Sequence, residues 1–512
     1  MRKDKGRVMI IDNKTVNYEK FTHTEKIKLS DEKEFVDFIN AGHEFLIKQI
    51  SGGRPIYGIT TGYGEAGSNY AAFEEAEEMQ QNLYRFCGVG VGENLSPEVS
   101  RIMVTVRLIS LSKGKSGVSY ALLKRFELLL NNKIYPIIPS QGSVGASGDL
   151  APLSYIAAVI AGEREVTYKG EERKTIDVYN ELGIEPYVFK AKEALAVING
   201  TATMSSIAIK AIQEFELMLD SMESFVANIF EVLLCDITAL EPFVHENKPF
   251  AGQITTAANI LKKCEGSELT HKAFSRYENF HLESEQNIQD RYSIRCAPQV
   301  LGVVRDNLDI AKKWIQTEIN GVNDNPLIDH IGEKIYTSGN FYGGYIAHAM
   351  DTMRICVGNL ADLLDKEFAL LIDHKFNKGL GESLKINKKS THHAFKLIQV
   401  TLSSLSADIL MNTNAASLYS RSTESFNQDK VSMGTTSARN FAKQLPDLAN
   451  MLSIAFIGIA QAVDIRGFDK CSKHLQACYS EVRKEVTKLE NDRRLDLDIR
   501  AVNKMVVDGK FV

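Results

Sequence analysis

The sequence predicts a mainly α protein: a central bundle of long helices, with a smaller mixed N-terminal region that carries a glycine-rich loop. Three observations predict it. Residues 201–241 contain neither Gly nor Pro, and apolar residues recur at helical spacing through "SSIAIKAIQEFELMLDSMESFVANIFEVLL". Further long helical patterns cover roughly 299–320, 343–378, 388–412, 434–468 and 473–490. Few good strand alternations follow residue 170. The expected division is 1–200 for the N-terminal region with the loop, and 201–512 for the long-helix bundle and C-terminal helices.

Along the chain, the first sixty or so residues mix short β-like runs, "RVMIID" and "KIKLS", with one helix-like run, "DEKEFVDFINAGHEFLIKQIS". From about 72 to 135 the pattern is mainly helical, broken at "GVGVGENLSPE". The loop "SQGSVGASGDLAPLS" (140–154) then leads into a helix from about 149. Segment 164–190 is charged and irregular, with a candidate ribbon at "EVTYKGEER". A helix over all of 201–241 would span about 60 Å at about 1.5 Å per residue. Apolar residues on more than one face of such helices predict burial from several sides, hence an oligomer.

Composition excludes several classes. A chain of 512 residues, 44% hydrophobic and 24% charged, is an ordinary soluble globular protein. Its net charge of -5 offers no positive field for nucleic acid or an anionic membrane. The N-terminal apolar run "VMII" is too short for a secretory signal, and the run 448–463, "LANMLSIAFIGIAQAV", falls short of a bilayer span and reads as a buried helix. Seven cysteines without zinc or thioredoxin spacing read as reduced thiols of a cytoplasmic protein. No metal spacing occurs among the eleven histidines, and the adjacent pair His392-His393 is expected on a helix with a structural role.

The loop admits several readings. A phosphate loop needs GxxxxGK[ST], but Gly142, Gly145 and Gly148 are followed by Asp149, which would repel phosphate. A dinucleotide fingerprint needs GxGxxG after a strand, and Pro136 and Pro139 spoil that strand. A nucleophile elbow needs GxSxG, and Ser147 is flanked by Ala146 and Gly148. On residue types alone a Gly-rich turn remains, with Ser147 or Asp149 capping the next helix.

Gly145-Ala146-Ser147-Gly148-Asp149-Leu150-Ala151-Pro152 resembles the signature of the histidine, phenylalanine and tyrosine ammonia-lyases, a family that includes 2,3-aminomutases. The resemblance extends from about residue 50 to 470 through motifs in the family's order. They are "YGITTGYG" with Tyr57, "KEALAVINGT" with Asn199, "QDRYSIRCAPQVLG" with Tyr292 and Arg295, "NDNPLI", "GNFYG" with Phe341, and "NQDKVSMG" with Gln428. The resemblance implies the fold shared with the fumarase-like superfamily and a tetramer whose active sites combine loops from three subunits. It also implies that Ala146-Ser147-Gly148 cyclise by themselves into 4-methylidene-imidazole-5-one, with no external cofactor and no metal. The residue types suit this. The Gly148 nitrogen must reach the Ala146 carbonyl across a very tight turn, which a Cβ at 148 would hinder.

By the same resemblance Tyr57 is the base for the β-proton, and Arg295 forks the carboxylate of a small amino-acid substrate. Asn199 and Gln428 donate near the ring or the carboxylate, Tyr292 lines the pocket, and Phe341 of the GNFYG match is counted among the catalytic residues. Selectivity falls on Phe86, Cys87 and Asp408. Cys87 stands where the histidine enzymes carry a histidine, and Phe86 is similar to the Phe of phenylalanine-selective members. Tyrosine-selective members commonly carry His there. Asp408 stands where the histidine enzymes have a glutamate. Arg291 and His392-His393-Ala394 also depart from the family's pattern.

The expected activity is a cytoplasmic ammonia-lyase converting an aromatic L-amino acid to a trans-acrylate of the cinnamate, coumarate or urocanate type. One alternative is an aromatic 2,3-aminomutase, which shares the first half of the mechanism. Another is a catalytically silent scaffold that kept the fold.

Overall fold

The computed structural model describes residues 8–22, 24, 26–70, 75–272 and 289–512. The basic residues before Val8, and 72–74 at the start of the helical stretch expected from about 72, lie outside the described residues. The fold is mainly α. Its principal helices are α1 (Lys33–Ser51), α2 (Ala76–Phe86), α3 (Pro97–Leu111), α4 (Tyr120–Asn131), α5 (Leu150–Ile160), α6 (Glu193–Ile198) and α7 (Ala202–Val232). The series continues with α8 (Ala297–Ile319), α9 (Gly344–Ile372), α10 (Lys396–Met411), α11 (Gly434–Arg466), α12 (Lys473–Glu485) and α13 (Asp496–Val507).

The chain forms two compact units. The first comprises Met1–Lys210, Ala311–Asp351 and Ala415–Arg439, and the second Ala211–Ile310, Thr352–Asn414 and Asn440–Val512. Four long helices, α7, α8, α9 and α11, begin in one unit and continue into the other.

In the first unit, caps set the helix starts. Ser96 and Ser119 accept the Val99 and Leu122 N–H groups, and Pro97 occupies the first turn of α3, where its missing N–H is not needed. Helix α6 packs on α5 and α2, and α3 packs on α4. Leu46, Ile50, Ile56, Ile59, Ala76, Ala191 and Ile328 form a buried cluster beneath residues 57–61. The β structure is small. Val8–Ile11 pairs in parallel with Lys26–Leu29, and Glu165–Tyr168 and Glu171–Lys174 form the hairpin expected near 165. Pro136 and Pro139 do not abolish pairing. Tyr135–Pro136 pairs with residues 166–167, and Pro139–Gln141 pairs with Val91–Asn94, as very short strands that tolerate a missing N–H. A further hairpin, Leu327–Asp329 with Lys334–Tyr336, has strands of three residues, too short for alternation to show.

In the second unit aromatic side chains interlock the helices. Phe215 meets Phe441 edge-on at 5.7 Å, and Phe456 stacks on Phe511 at 3.9 Å. Helix α11 holds the 448–463 run and is the one described helix long and apolar enough to cross a membrane. Its apolar window is 83% buried within the protein, so it is a core helix.

Two helix expectations are corrected. The helix expected over 201–241 ends at Val232, because Leu234 adopts φ 52° and the Cys235 N–H turns back to the Phe230 carbonyl. No Gly or Pro marks that stop. The helix expected from 388 begins only at Lys396, since Ala394 adopts φ 45° and residues 388–395 form a loop.

Candidate functional site

The loop before α5 is held by backbone and small side chains. Gly145 and Gly148 adopt φ 67° and 68°, where a Cβ costs energy. At Gly148 a Cβ would also lie 2.1 Å from the Gly200 carbonyl oxygen, and that carbonyl accepts the Asp149 N–H at 2.8 Å. At Gly145 a Cβ would fall 2.3 Å from Ser432 Oγ, which donates to the Gly145 carbonyl at 3.1 Å. The Met433 N–H donates to the Val144 carbonyl at 2.9 Å.

Asp149 does not cap α5 with its side chain. Its fully buried carboxylate instead accepts the Met204 N–H at 2.9 Å, at the start of α7, the Ser143 hydroxyl at 2.8 Å, and the Thr435 hydroxyl. Burial pushes its pKa up, and these donors pull it back. The loop, α7 and α11 are thus tied by one acid.

Ser147 and Asn199 face separate ties. Gln428 Nε2 donates to Ser147 Oγ at 3.4 Å, and Thr423 Oγ1 donates to Gln428 Oε1 at 2.8 Å, fixing the amide. Asn199 Nδ2 donates to the Asn325 carbonyl at 3.2 Å, while its buried Oδ1 has no partner among the described residues. The backbone around Asn199 is set by Arg107, which is 1% exposed. Its guanidinium donates to the carbonyls of Ala196, Asn199 (3.0 Å) and Asn323 (2.8 Å). Burial lowers its pKa to about 10. Lys192 and Asp324 form a wholly buried ion pair in the same unit. Sequence reasoning missed Arg107 and Lys192. A lone cation within the apolar run "IMVTVRLISL" was the available signal for Arg107.

Tyr57 lies between buried Ile56 and Ile59, and its Oη accepts the Gly64 N–H at 2.7 Å. Burial raises its pKa, the Gly64 donor lowers it, and Glu424 raises it further. Glu424 packs so closely that a Cβ on Gly64 would fall 1.6 Å from Glu424 Oε1. Glu424, Ser425 and Phe426 adopt φ 51°, 50° and 66°, three successive left-handed residues just before Gln428. Neighbouring Tyr63 accepts from Gln80 Nε2 at 3.1 Å, and Gln80 Oε1 accepts the Leu195 N–H at 3.2 Å, which links residues 57–64 to α2 and α6. Cys87, at the end of α2, is buried. Burial raises its thiol to about 12, with Arg164 lowering and Glu424 raising it. Phe86 is 60% exposed.

The first unit therefore holds Tyr57, Phe86, Cys87, Ala146, Ser147, Gly148, Asn199, Phe341 and Gln428. Phe341 is half-buried in the loop whose Gly343 packs on Thr201 and Met204 at the start of α7. The second unit holds Tyr292, Arg295 and Asp408. Tyr292 is 73% exposed and opens a single helical turn, with the Arg295 guanidinium 4.5 Å from its ring centroid. Arg295 Nε is buried without a partner among the described residues. Asp408 is exposed on α10. Arg291 lies over the Phe376 ring at 4.3 Å, and the Asp492 carboxylate accepts the N–H groups of His393 and Ala394.

A family model described as aromatic amino acid lyase matches residues 17–484. A hal-like protein of Dictyostelium discoideum is 35% identical over 486 residues, covering 93% of this chain and 92% of that protein. A histidine ammonia-lyase of Shouchella clausii is 34% identical over 483 residues, covering 94% of each. The crystal structure of tyrosine aminomutase from Streptomyces globisporus superposes with a TM-score of 0.94 at 32% identity, covering 99% of this chain and 98% of that one.

Proposed function

Because the chain belongs to the aromatic amino acid lyase family, and so is a carbon–nitrogen lyase, we propose that it eliminates ammonia from an aromatic L-amino acid to give a trans-acrylate. We place it in the cytoplasm, as a homotetramer. The observation that carries this reading is the seat of Gly148, where positive φ and the Gly200 carbonyl leave no room for a side chain.

That seat suits cyclisation of Ala146-Ser147-Gly148. The described side chains are those of the encoded precursor. Gln428 reaches Ser147 Oγ, and the unpartnered Asn199 Oδ1 supplies a buried polar atom still to be satisfied, so these two residues would hold the ring. The ring supplies an electrophile for the substrate amine, which no encoded side chain offers.

The chain's own residues do the rest. Tyr57 Oη takes the β-proton as the Cα–N bond breaks and the double bond forms. Burial and Glu424 oppose its phenolate, and among the described residues only the Gly64 N–H supports it. Tyr57 therefore acts once the site is completed by further donors or cations, which suits a site assembled from several copies. Arg295, whose buried Nε has no partner among the described residues, forks the substrate carboxylate. The large exposed side chains Tyr292, Phe426 and Leu418 fit burial by further copies. Phe86 and Cys87 line the end of the pocket that takes the substrate's ring. Neither offers a strong partner to an imidazole or a phenol hydroxyl, which disfavours histidine.

The similarity to an aminomutase supports a second reading, return of the amine to the β-carbon. Intact mass and product analysis test both. The wild-type mass is expected to be lower than the encoded chain by two waters, and Ser147→Ala to restore it and abolish turnover. An unmodified wild-type mass overturns the ring. With L-Phe, L-Tyr and L-His, acrylate is expected, and β-amino acid as the sole product overturns the lyase in favour of the mutase.

A further inference from the structure

Residues 163 and 164 follow α5 after Ala161 and Gly162, and α5 itself starts from the loop 143–149. Arg164 adopts φ 63°, a conformation that costs a residue with a side chain of order 1 kcal/mol. Its backbone is pinned there, since the Thr175 N–H and hydroxyl both donate to its carbonyl at 2.8 Å. The side chain turns back onto the end of α2. Arg164 Nη2 donates to the Tyr84 carbonyl at 2.6 Å, one of the acceptors a helix end leaves open. Nη1 donates to Ser154 Oγ at 3.1 Å, and the guanidinium lies 4.2 Å from the Tyr155 ring centroid. The fit at Gly88 is tight, because a Cβ there would fall 2.1 Å from Arg164 Nη2.

Glu163 grips the same helix end from the adjacent position. Its Oε1 accepts the Tyr84 hydroxyl at 3.1 Å and Arg85 Nη2 at 2.6 Å, and Arg85 Nε bonds both carboxylate oxygens. An acid on the Tyr84 and Arg85 side chains and a base on the Tyr84 carbonyl thus hold the two residues before Phe86-Cys87. Beyond them the chain runs close to the loop's entry. A Cβ on Gly90 would sit 3.2 Å from Tyr155 Oη, and Val91 pairs with Gln141. One rigid helix of 11 residues, α5, therefore carries the loop 146–148 at its start and the grip on residues 84–88 just past its end.

We infer that Glu163 and Arg164 are positioning residues that set substrate preference, by fixing Phe86 and Cys87 relative to the ring-forming loop. This rests on the reading that Phe86 and Cys87 meet the substrate's ring. A rival role for Arg164, activating Cys87 as a thiolate, fails because burial keeps the thiol protonated despite the nearby guanidinium.

The test compares kcat and KM for consumption of L-Phe, L-Tyr and L-His by wild type, Arg164→Gly, Arg164→Lys and Cys87→His. Arg164→Gly removes the side chain and also the left-handed strain, so the fold is not penalised at the backbone. It is expected to keep the two-water mass deficit while changing the ratio of kcat/KM between two of the substrates about tenfold, mainly through KM, a difference of about 1.4 kcal/mol. Arg164→Lys, which keeps the charge but not the fork, is expected to fall between. Cys87→His is expected to move the preference towards histidine. If Cys87→His shifts the preference while Arg164→Gly lowers all three substrates by one common factor, the positioning role is overturned and the site reading stands. If neither variant shifts it, the assignment of Phe86-Cys87 to the substrate's ring is overturned and the positioning role with it.

Discussion

Both units bury ionisable groups, but among the described residues only the second leaves a carboxylate with neither oxygen partnered. In the first, Arg107 gives its N–H groups to three carbonyls, Lys192 pairs with Asp324, and Asp149 collects three donors. In the second, Glu367 on α9 is fully buried, and neither carboxylate oxygen has a partner among the described residues. Burial drives its pKa well up, so it stays neutral. The difference follows from the backbone. The first unit bends through irregular turns at 143–149, 199–200 and 323–325, whose carbonyls and N–H groups lack helical partners and must be answered by side chains. The second is mostly long helices that satisfy their own backbone. Buried charge in the first unit shapes turns that carry candidate site residues. In the second, Glu231 receives the Ser472 N–H and hydroxyl at the start of α12 and Arg354 holds the carbonyls of Asn412 and Asn414, while Glu367 has no such task among the described residues.

The largest expected effect breaks this contrast if it fails. Lys192→Met strands Asp324 without its cation and is expected to cost about 3–5 kcal/mol, read from urea midpoints. Glu367→Leu is expected to act in the other direction and raise stability by about 1 kcal/mol, because it removes an unsatisfied buried acid. A carboxyl whose folded pKa lies above its ordinary 4.5 costs stability as pH rises past that value, so the gain from Leu should grow as pH rises above about 4.5. Equal losses from the two substitutions would erase the distinction between the units.

A pH-dependent effect in the second unit sharpens the contrast. His474, beside Cys478 at 3.5 Å, has its pKa pushed down to about 4 by burial, with Lys263 adding to the shift. An imidazole depressed in the folded state keeps its contribution above its ordinary 6.5 and loses it as pH falls from there towards 4. Wild type is therefore expected to lose about 1–2 kcal/mol between about pH 7.5 and about pH 5 through this group, allowing for its partial exposure. His474→Gln should flatten that part of the profile in paired urea titrations. An unchanged profile would mean that His474 is already solvated.

Legibility in the sequence tracked how much each feature constrains residue type. The order Gly145-Ala146-Ser147-Gly148-Asp149 was readable only through its resemblance to a family signature, and the structure supplies the reason for glycine at 148, positive φ and a close backbone approach. The long helices were readable from periodicity. The turn at Leu234 was not, since a leucine in the left-handed region carries no composition signal. Helix α13 went unread, although Val502 and Val506 are buried along its twelve residues "DLDIRAVNKMVV". The carboxylate of Asp149 looked like a cap for its own helix, but it serves α7, and no local pattern reveals a partner 55 residues away. Arg164 was invisible for a related reason. Nothing in its residue type announces φ 63°, and its target lies 80 residues earlier.

The loop's partners also fix a schedule. Thr435, which binds Asp149, and Ser432, which binds the Gly145 carbonyl, are made 286 and 287 residues after the groups they meet. At about 5–20 residues per second, a ribosome needs roughly 15–60 s to deliver them. Until then the loop lacks its ties to Ser432 and Thr435, although Gly200, which seats Gly148, is made earlier. The nascent chain thus emerges with the loop untied on that side until nearly the whole protein is available to enclose it.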